Sequence, residues 1–566
     1  MKTVPMHRLV FFGLVVYAVT LVSITGDTGF QADDWWILSV PYWNSFPWSI
    51  WKYTVEFRRP LEGLPWLASF PILGFNRIFF NLVAVFLLTG TALLMGACLT
   101  RAFPRRRAFV AASMLFWFFL PTICPLMYVF HMDNIWTCTL LFWGSVLAFQ
   151  VWAEQSTSRR GLIFPVLLYC LSTLAYDAAN LLLFLVPLFV LPCRQRNRGR
   201  IPGQVFRLRL GAGMGVGFAV VLATRFLLFH GGAIALRSPI PRFGLVKEYL
   251  VNLVPYLAAP FQSVPADVWA IGAGCLILAF AAVLLFSDHG PGLSEQNGSG
   301  PATGNEPILM LLWAAGLILL GTLPYLMAGY GASVGFHGES RVYSTASFGM
   351  AILLGCAATV WNRRSVLFVA KLAAVFALGF MAMYHVDLRR SWQAAEKINC
   401  GLWTSLSSQV PDVAPGTSFL FLDLQSYVSN RAIIFGGVNG LREFIRIFYH
   451  RRDIDAHYLY PYKEHFADSE SRMAFVSGKG IVARGVLPTK PIELDKLLIA
   501  ERVGNRLVLL DKINAAAKLA AVRWNGVAEI RSNRKLIRSF GRAGVPFLGV
   551  CCRSCRGVRA GSLASK

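Results

Sequence analysis

Ile78-Phe-Phe-Asn-Leu-Val-Ala-Val-Phe-Leu-Leu-Thr-Gly-Thr-Ala-Leu-Leu-Met-Gly-Ala-Cys-Leu99 contains no charged residue. About 20 predominantly apolar residues carry a helix across the hydrocarbon of a bilayer. The stretch therefore reads as a membrane span. Working outward from it, further apolar runs lie near 9–25, 108–123, 135–152, 161–175, 179–192, 210–229, 266–286, 307–326, 344–360 and 365–384. Together they predict a polytopic α-helical membrane protein with about eleven transmembrane helices. The 161–192 stretch divides least clearly. It reads either as two short helices broken around Tyr176–Asn180 or as one long bent helix, and broken helices occur in membranes where they line a cavity.

Composition agrees. The 566 residues are 55% hydrophobic and 13% aromatic, and only 15% are Asp, Glu, Lys or Arg. Soluble chains average about 25% charged residues, so a soluble enzyme and a disordered chain are both disfavoured. The net charge of +25 does not point to nucleic acid as partner. Its basic residues sit in short runs between apolar segments, which is the positive-inside pattern.

That pattern orients the chain. With the N-terminus cytoplasmic, the inner loops hold Arg101, Arg105, Arg106 and Arg107; Arg159 and Arg160; Arg194, Arg196, Arg198 and Arg200; and Arg363 and Arg364. The 287–306 loop is acidic and rich in Gly, Ser and Pro, a flexible connector. Its Asn297-Gly-Ser299 sequon is predicted to be silent on the inner side. The first run lacks a small-x-small cleavage site and reads as a retained anchor. Three regions follow: a membrane domain at 1–385 with a long outer loop at 26–77, an extracytoplasmic mixed α/β domain at 386–530, and a basic tail at 531–566. In the second, Ser418–Asp423 reads as a buried strand after the turn signal Pro415-Gly416. Leu441–Tyr449 has helical spacing, Leu507–Leu510 reads as a strand, and Ala516–Val522 as a helix. From residue 386 onward, 28 basic residues against 15 acidic ones leave +13 on the outer side. That charge suits anionic headgroups or a polyanionic glycan; a plain solvated basic surface is the alternative.

Most cysteines lie in or beside apolar runs, as small buried hydrophobes do. Cys400 stands apart in the sequence, and Cys551, Cys552 and Cys555 lack the second pair a zinc site needs.

The outer loop is unusual. It opens Gln31-Ala-Asp33-Asp34-Trp35-Trp36 and continues through Tyr42, Trp43, Asn44, Trp48, Trp51 and Tyr53 to Glu56-Phe-Arg58-Arg59-Pro60-Leu61-Glu62. Adjacent carboxylates raise one another's pKa, which suits a base, and a divalent cation is an option if both converge. A capped loop start explains Asp33 and Asp34 equally simply. The tryptophans suit sugar faces or an interfacial belt. Arg58 and Arg59, on the outside against the charge bias, suit a phosphate.

A first membrane helix followed by an outer loop opening on Asp33-Asp34 resembles the GT-C superfamily of integral membrane glycosyltransferases. Arg58-Arg59-Pro60-Leu61 is similar to the basic-Pro segment of several bacterial members. The resemblance implies about eleven to thirteen helices and a polyprenyl-phosphate-linked sugar as donor. It also implies a catalytic acid residue in this loop, here Asp33 or Asp34, and a glycan or lipid acceptor. Tyr176-Asp177 resembles a Tyr-acid pair in some members. Glu339-Ser-Arg341-Val-Tyr343 resembles their Arg-x-Tyr pattern, with His337 nearby and Ser340 breaking the Glu-Arg adjacency. Asp133, between the third and fourth runs, and Arg225, near the outer end of the seventh, complete the expected substrate-binding set. Each has a plain alternative: a helix cap for Asp177, a snorkelling side chain for Arg225, and a wet loop for 337–343. On this reading the chain sits in a bacterial inner membrane and contacts membrane lipid, the donor and the acceptor. A transporter or flippase, or a non-catalytic envelope assembly protein, are the competing classes. No internal repeat supports the former.

Overall fold

In the computed structural model the described residues are 6–24, 34–54, 72–121 apart from 73, 133–155, 158, 160–195, 203–229, 243–262, 268–286, 306–327, 342–422 apart from 362, 437–459, 493–514 and 533–538, with short pieces at 61–70, 424–433, 472–484 and 529–531. They are mostly helical. In chain order the helices are α1 (Met6–Ile24), α2 (Asp34–Trp43), α3 (Phe46–Lys52), α4 (Arg77–Ala102), α5 (Arg107–Phe119), α6 (Asp133–Gln155), α7 (Ile163–Ala175), α8 (Val186–Gln195), α9 (Gly203–Phe229), α10 (Phe243–Gln262), α11 (Val268–Phe286), α12 (Glu306–Met327), α13 (Ala346–Thr359), α14 (Arg364–Gln409) and α15 (Gly437–Phe448).

The chain divides into two compact units. A helical unit comprises Met1–Ile24, Ser45–Pro71 and Ile78–Arg390. A composite unit comprises Thr25–Asn44, Ile72–Arg77 and Ser391–Lys566.

In the helical unit, α4, α6, α9, α12 and α14 are long and apolar enough to cross a membrane. Six shorter apolar helices, Arg8–Tyr17, Arg107–Phe119, Arg160–Ala175, Leu182–Arg194, Ala270–Phe286 and Ala346–Thr359, accompany them. Together these coincide with the eleven apolar runs. The 161–192 stretch is two helices: α7 ends at Ala175, and short 3-10 turns lead into α8.

Contacts between helix ends sort into two layers. At one end Arg101 pairs with Glu154, and Arg106 Nε pairs with Glu306 Oε2 at 3.1 Å. Trp152 stacks on Phe206 at 5.2 Å, and the Arg194 guanidinium lies 4.0 Å from the centre of the same ring. The Lys371 ammonium, buried, lies over Phe286 at 5.5 Å, a cation–π contact that makes its burial tolerable. At the other end the links are hydroxyls and rings. Trp117 Nε1 donates to Ser347 Oγ at 3.1 Å, Tyr325 and Ser344 share a hydrogen bond of 3.0 Å, and Phe119 lies 5.4 Å from His385. Arg101, Arg106 and Arg194 therefore lie at a single end. Between the layers α13 lies close to its neighbours because Gly349 faces the Ala314 carbonyl and Gly355 faces Ser113. Small residues of this kind let membrane helices approach.

The composite unit is built on a four-stranded sheet: β1 (Ser418–Leu422), β2 (Asp455–Leu459), β3 (Leu497–Val503) and β4 (Arg506–Leu510), in the order β2-β1-β3-β4. β1 pairs in parallel with β2 and β3, and β3 turns back into β4. Pro415-Gly416 makes the turn before β1, with Gly416 at φ 75° and Thr417 N–H reaching Ala414 O at 3.3 Å. This is the geometry of a type II turn, in which that position favours glycine. α15 connects β1 to β2 and buries Phe444 against Trp403 of α14 (4.4 Å) and Trp35 of α2 (4.8 Å).

The C-terminal end of α14 also closes the outer edge of β4. Ser405 Oγ accepts from Leu507 N–H (2.7 Å), Gln409 Nε2 donates to Leu507 O (2.6 Å), and Gln409 Oε1 accepts from Leu509 N–H (3.0 Å). Two side chains thus do for β4 what a fifth strand would do. Gly401 permits the approach, since a Cβ there would sit 2.5 Å from Asn505 O.

Two findings differ from the sequence reading. The apolar run ends near 384, yet α14 continues to Gln409; hydropathy marks where the apolar part of a helix ends, not where the helix stops. Cys400 is disulfide-bonded, whereas Cys98, Cys138, Cys170, Cys193, Cys275 and Cys356 are free. The expected helix at Ala516–Val522, the Asn297 sequon and the Cys551–Cys555 cluster lie outside the described residues.

Candidate functional site

Asp34 opens α2, and its side chain is fully buried. A carboxylate at a helix N-terminus meets the positive end of the helix dipole. It also meets a cation: Arg77 Nη1 lies 3.4 Å from Asp34 Oδ2, with side-chain exposures of 6% and 0%. A charge removed from water to this degree persists only when paired. Arg77 is the residue at the edge of the apolar run quoted above, and this pairing gives it a task.

α2 packs along α15. Below Asp34, Trp35 reaches Phe444 and Phe75, and Phe75 also lies 5.5 Å from Tyr42. At the far end of α2 a second polar group assembles. Tyr42 Oη and His450 Nδ1 share a hydrogen bond of 2.6 Å, and the Trp43 and His450 rings lie 5.5 Å apart. The Arg452 guanidinium lies 5.1 Å from the centre of the Trp43 ring and donates to the Trp43 carbonyl. Burial pushes the Tyr42 phenol up, so it stays protonated at neutral pH.

His450 holds an unusual backbone position. α15 ends in a Schellman motif, with Arg451 N–H donating to Arg446 O (2.9 Å) and His450 N–H to Ile447 O (3.1 Å). The residue between helix and exit must then be left-handed, and His450 has φ 52°. Glycine is the usual occupant; a side-chain-bearing residue there costs about 1–2 kcal/mol. The bond with Tyr42 and the contact with Trp43 offset that cost, and tie the end of α15 to the end of α2.

A third group lies at the start of β2. Asp455 Oδ1 accepts from Arg442 Nε (2.5 Å) and Ala456 N–H (2.9 Å), and Asp455 Oδ2 lies 3.6 Å from His457 Nε2. Burial by itself raises the Asp455 carboxyl. The His457 ring, the Arg442 guanidinium and the Ala456 amide outweigh it and hold the pKa at about 2.

The expected site residues are distributed as follows. Asp34 is the described member of the acidic pair; Asp33 lies outside the described residues, as do Arg58, Arg59, His337, Glu339 and Arg341. The backbones of Asp177 and Arg225 are described, in a 3-10 turn and in α9, but not their side chains. Asp133 and Tyr343 belong to the helical unit. Asp133 starts α6 and is fully buried. Cys138, one turn and a half later, meets Ser172 and the Tyr176 carbonyl, so the start of α6 lies beside the Tyr176 turn. Tyr343 is also fully buried. Its hydroxyl donates to the Tyr249 carbonyl (3.2 Å), and its ring lies between those of Tyr249 (4.5 Å) and Tyr256 (4.6 Å).

Sequence reasoning missed Arg77, His450 and Arg452. An arginine immediately before an uncharged span was a usable signal for Arg77. The other two depend on contacts more than 400 positions apart along the chain, for which a single sequence carries no sign. For a divalent cation, Asp34 already faces the Arg77 guanidinium, and among the described residues no three His, Cys, Asp or Glu side chains group as ligands. No family model matches the chain, and no curated protein resembles it in sequence.

Proposed function

We propose that this chain is a multi-pass protein of a bacterial inner membrane, with eleven spans and a cytoplasmic N-terminus. In this reading it transfers a sugar from a polyprenyl-phosphate-linked donor to a glycan or lipid acceptor at the outer face. One observation carries the reading: the first carboxylate described after α1, Asp34, is fixed by a buried arginine at the start of a helix that also carries the aromatic pair Tyr42 and Trp43. The Cys400 disulfide supports an extracytoplasmic place for the composite unit, because disulfides persist in oxidising compartments. The contact of Trp35 with Phe444 supports placing residues 35 and 444 on one face of the membrane.

The chemistry is a single inverting displacement. The acceptor hydroxyl gives its proton to a carboxylate and its oxygen bonds to the anomeric carbon. The bond from that carbon to the phosphate oxygen breaks, and polyprenyl phosphate leaves with the electron pair. Stabilising the departing phosphate is the larger contribution. It falls to arginine, with Arg58, Arg59, Arg225 and Arg341 as the candidates.

A second reading is favoured by the complete burial of Asp34: the Asp34–Arg77 pair is a structural pin and the base is Asp33. Paired variants separate the two. Asp34→Asn removes one charge of the buried pair, whereas Asp34→Asn with Arg77→Met removes both. Release of polyprenyl phosphate is measured in membranes with matched protein levels. If Asp34 is the base, the double variant folds and transfers nothing. Wild-type turnover by the double variant overturns that assignment, and loss of turnover in Asp33→Asn alone moves the role to Asp33. Full turnover by a triple variant lacking both carboxylates and Arg77 overturns the enzyme reading itself.

A further inference from the structure

α10 lies in a segment the sequence reads as an outer loop, yet it is a helix of 20 residues. Lys247, Glu248, Asn252, Pro255 and Pro260 interrupt its apolar residues. Contacts elsewhere in the helical unit fix which end it occupies. α9 begins at the arginine-rich end, because Phe206 meets both Trp152 and Arg194. α12 begins at that same end, because Glu306 pairs with Arg106. α9, of 27 residues, crosses once and delivers the chain to the tyrosine end. Between there and Glu306 the chain crosses an odd number of times, and the sequence holds only two long apolar stretches in that interval, α10 and α11. α11 is 19 uncharged residues, and its last residue, Phe286, lies against Lys371 near the start of α14. α11 makes the crossing, so α10 begins and ends at the tyrosine end.

The two faces of α10 differ. One is seated on protein: Tyr249 and Tyr256, seven residues apart, enclose Tyr343. The other is apolar and exposed, with Leu250 60% exposed, Val251 59% and Val254 70%, and it ends at Phe261, 46% exposed beside Phe380. Lys247 and Glu248 are exposed in its first turns. The next helix, α11, exposes Val268, Ile271 and Leu276, the ordinary surface of a span that meets acyl chains. Both helices seat on the same stretch of α14, Phe261 against Phe380 (5.6 Å) and Gly274 against Gly379 and Met383.

We propose that α10 lies along the outer leaflet without crossing it. Leu250, Val251, Val254 and Phe261 dip into the boundary between headgroups and acyl chains, and Lys247 and Glu248 sit among the headgroups. A helix too polar to span, with one apolar face and charges beside it, is the kind that binds in the plane of an interface. The occupant of the stripe is lipid, not a second copy, because α10 and α11 seat on the same stretch of α14 and α11 there exposes the side that a span turns to acyl chains. The inference rests on the membrane reading and not on the sugar-transfer reading.

The full chain in liposomes tests it. An azide-bearing residue placed at Leu250, at Val254 or at Lys247, each in turn, is coupled to a fluorophore. Labels at 250 and 254 are expected to be quenched by lipids brominated near the headgroup, with quenching lost for lipids brominated at the chain end. The label at 247 is expected to be quenched by aqueous iodide. Iodide quenching at 250 and 254, quenching there by chain-end bromine, or no quenching by either lipid each overturns the proposal: the first places the stripe in water, the second makes α10 a span, and the third covers it with protein. The two apolar positions report independently, and the readout does not depend on enzymatic turnover.

Discussion

Two acid–arginine pairs in the composite unit, Asp34–Arg77 and Asp455–Arg442, use the same chemistry in different surroundings. The first is sealed, with side-chain exposures of 0% and 6%; the second is at 32% and 18%. Asp455 also has His457 and a backbone N–H. A sealed pair is weak evidence of net stabilisation, because desolvation opposes the attraction, but breaking it is severe. A half-open pair loses less when cut, since water replaces the missing partner. Burial therefore decides how much each pair matters.

The most damaging way to probe that contrast is Asp34→Asn. It is expected to destabilise the protein by about 3–5 kcal/mol, the range for removing one partner of a buried ion pair, and adding Arg77→Met is expected to restore most of the loss. Denaturant unfolding of the purified protein in detergent reads both. Equal losses in the single and double variants would erase the contrast. Asp455→Asn is expected to cost less, about 1–3 kcal/mol, as for one lost charged hydrogen-bond partner, by the same measurement.

Acid sharpens the comparison further. The Asp455 pKa lies below its ordinary 3.8, at about 2 in the folded protein. Its charge therefore contributes stability that is fully present above pH 3.8 and lost as the pH falls through about 2. The stability gap between wild type and Asp455→Asn is expected to close across that window. A gap that stays constant would show that Asp455 is not held ionised. Smallest of all is Tyr42→Phe, which removes a neutral hydrogen bond to His450 and is expected to cost about 0.5–1.5 kcal/mol. His450→Gly in that background is then expected to regain stability, because glycine accepts the left-handed backbone that His450 adopts. Further loss instead would mean that the His450 ring contributes through Trp43 alone.

The sequence made the helical unit legible because long apolar runs are a one-dimensional signal. Each of the eleven apolar runs is a helix, and Arg101, Arg106 and Arg194 gather at a single end. α10 escaped because Lys247, Glu248 and Asn252 dilute its hydropathy, though its length is that of a span. In the composite unit the local signals sufficed for β1, the Pro415-Gly416 turn, α15 and β4. They could not reveal that α2 belongs to the same body, since that depends on Trp35 meeting Phe444. Asp34 was legible as a candidate because it follows a span; its arginine was not, because Arg77 looked like a boundary. His450 was invisible for a different reason: a left-handed helix exit ordinarily announces itself with glycine.

The composite unit joins the beginning of the chain to its end, and that has a consequence for biosynthesis. Tyr42 and His450 are 408 positions apart, so α2 leaves the ribosome long before the surface that will cover it. Until α15 arrives, the buried face of α2, with Trp35, Ile37 and Leu38, has no cover from it. Contacts of such separation form slowly. The final step of maturation is therefore the docking of late residues onto an early segment that has been waiting for them. A chain truncated before residue 437 is expected to present that segment to quality-control proteases, however well its spans have inserted.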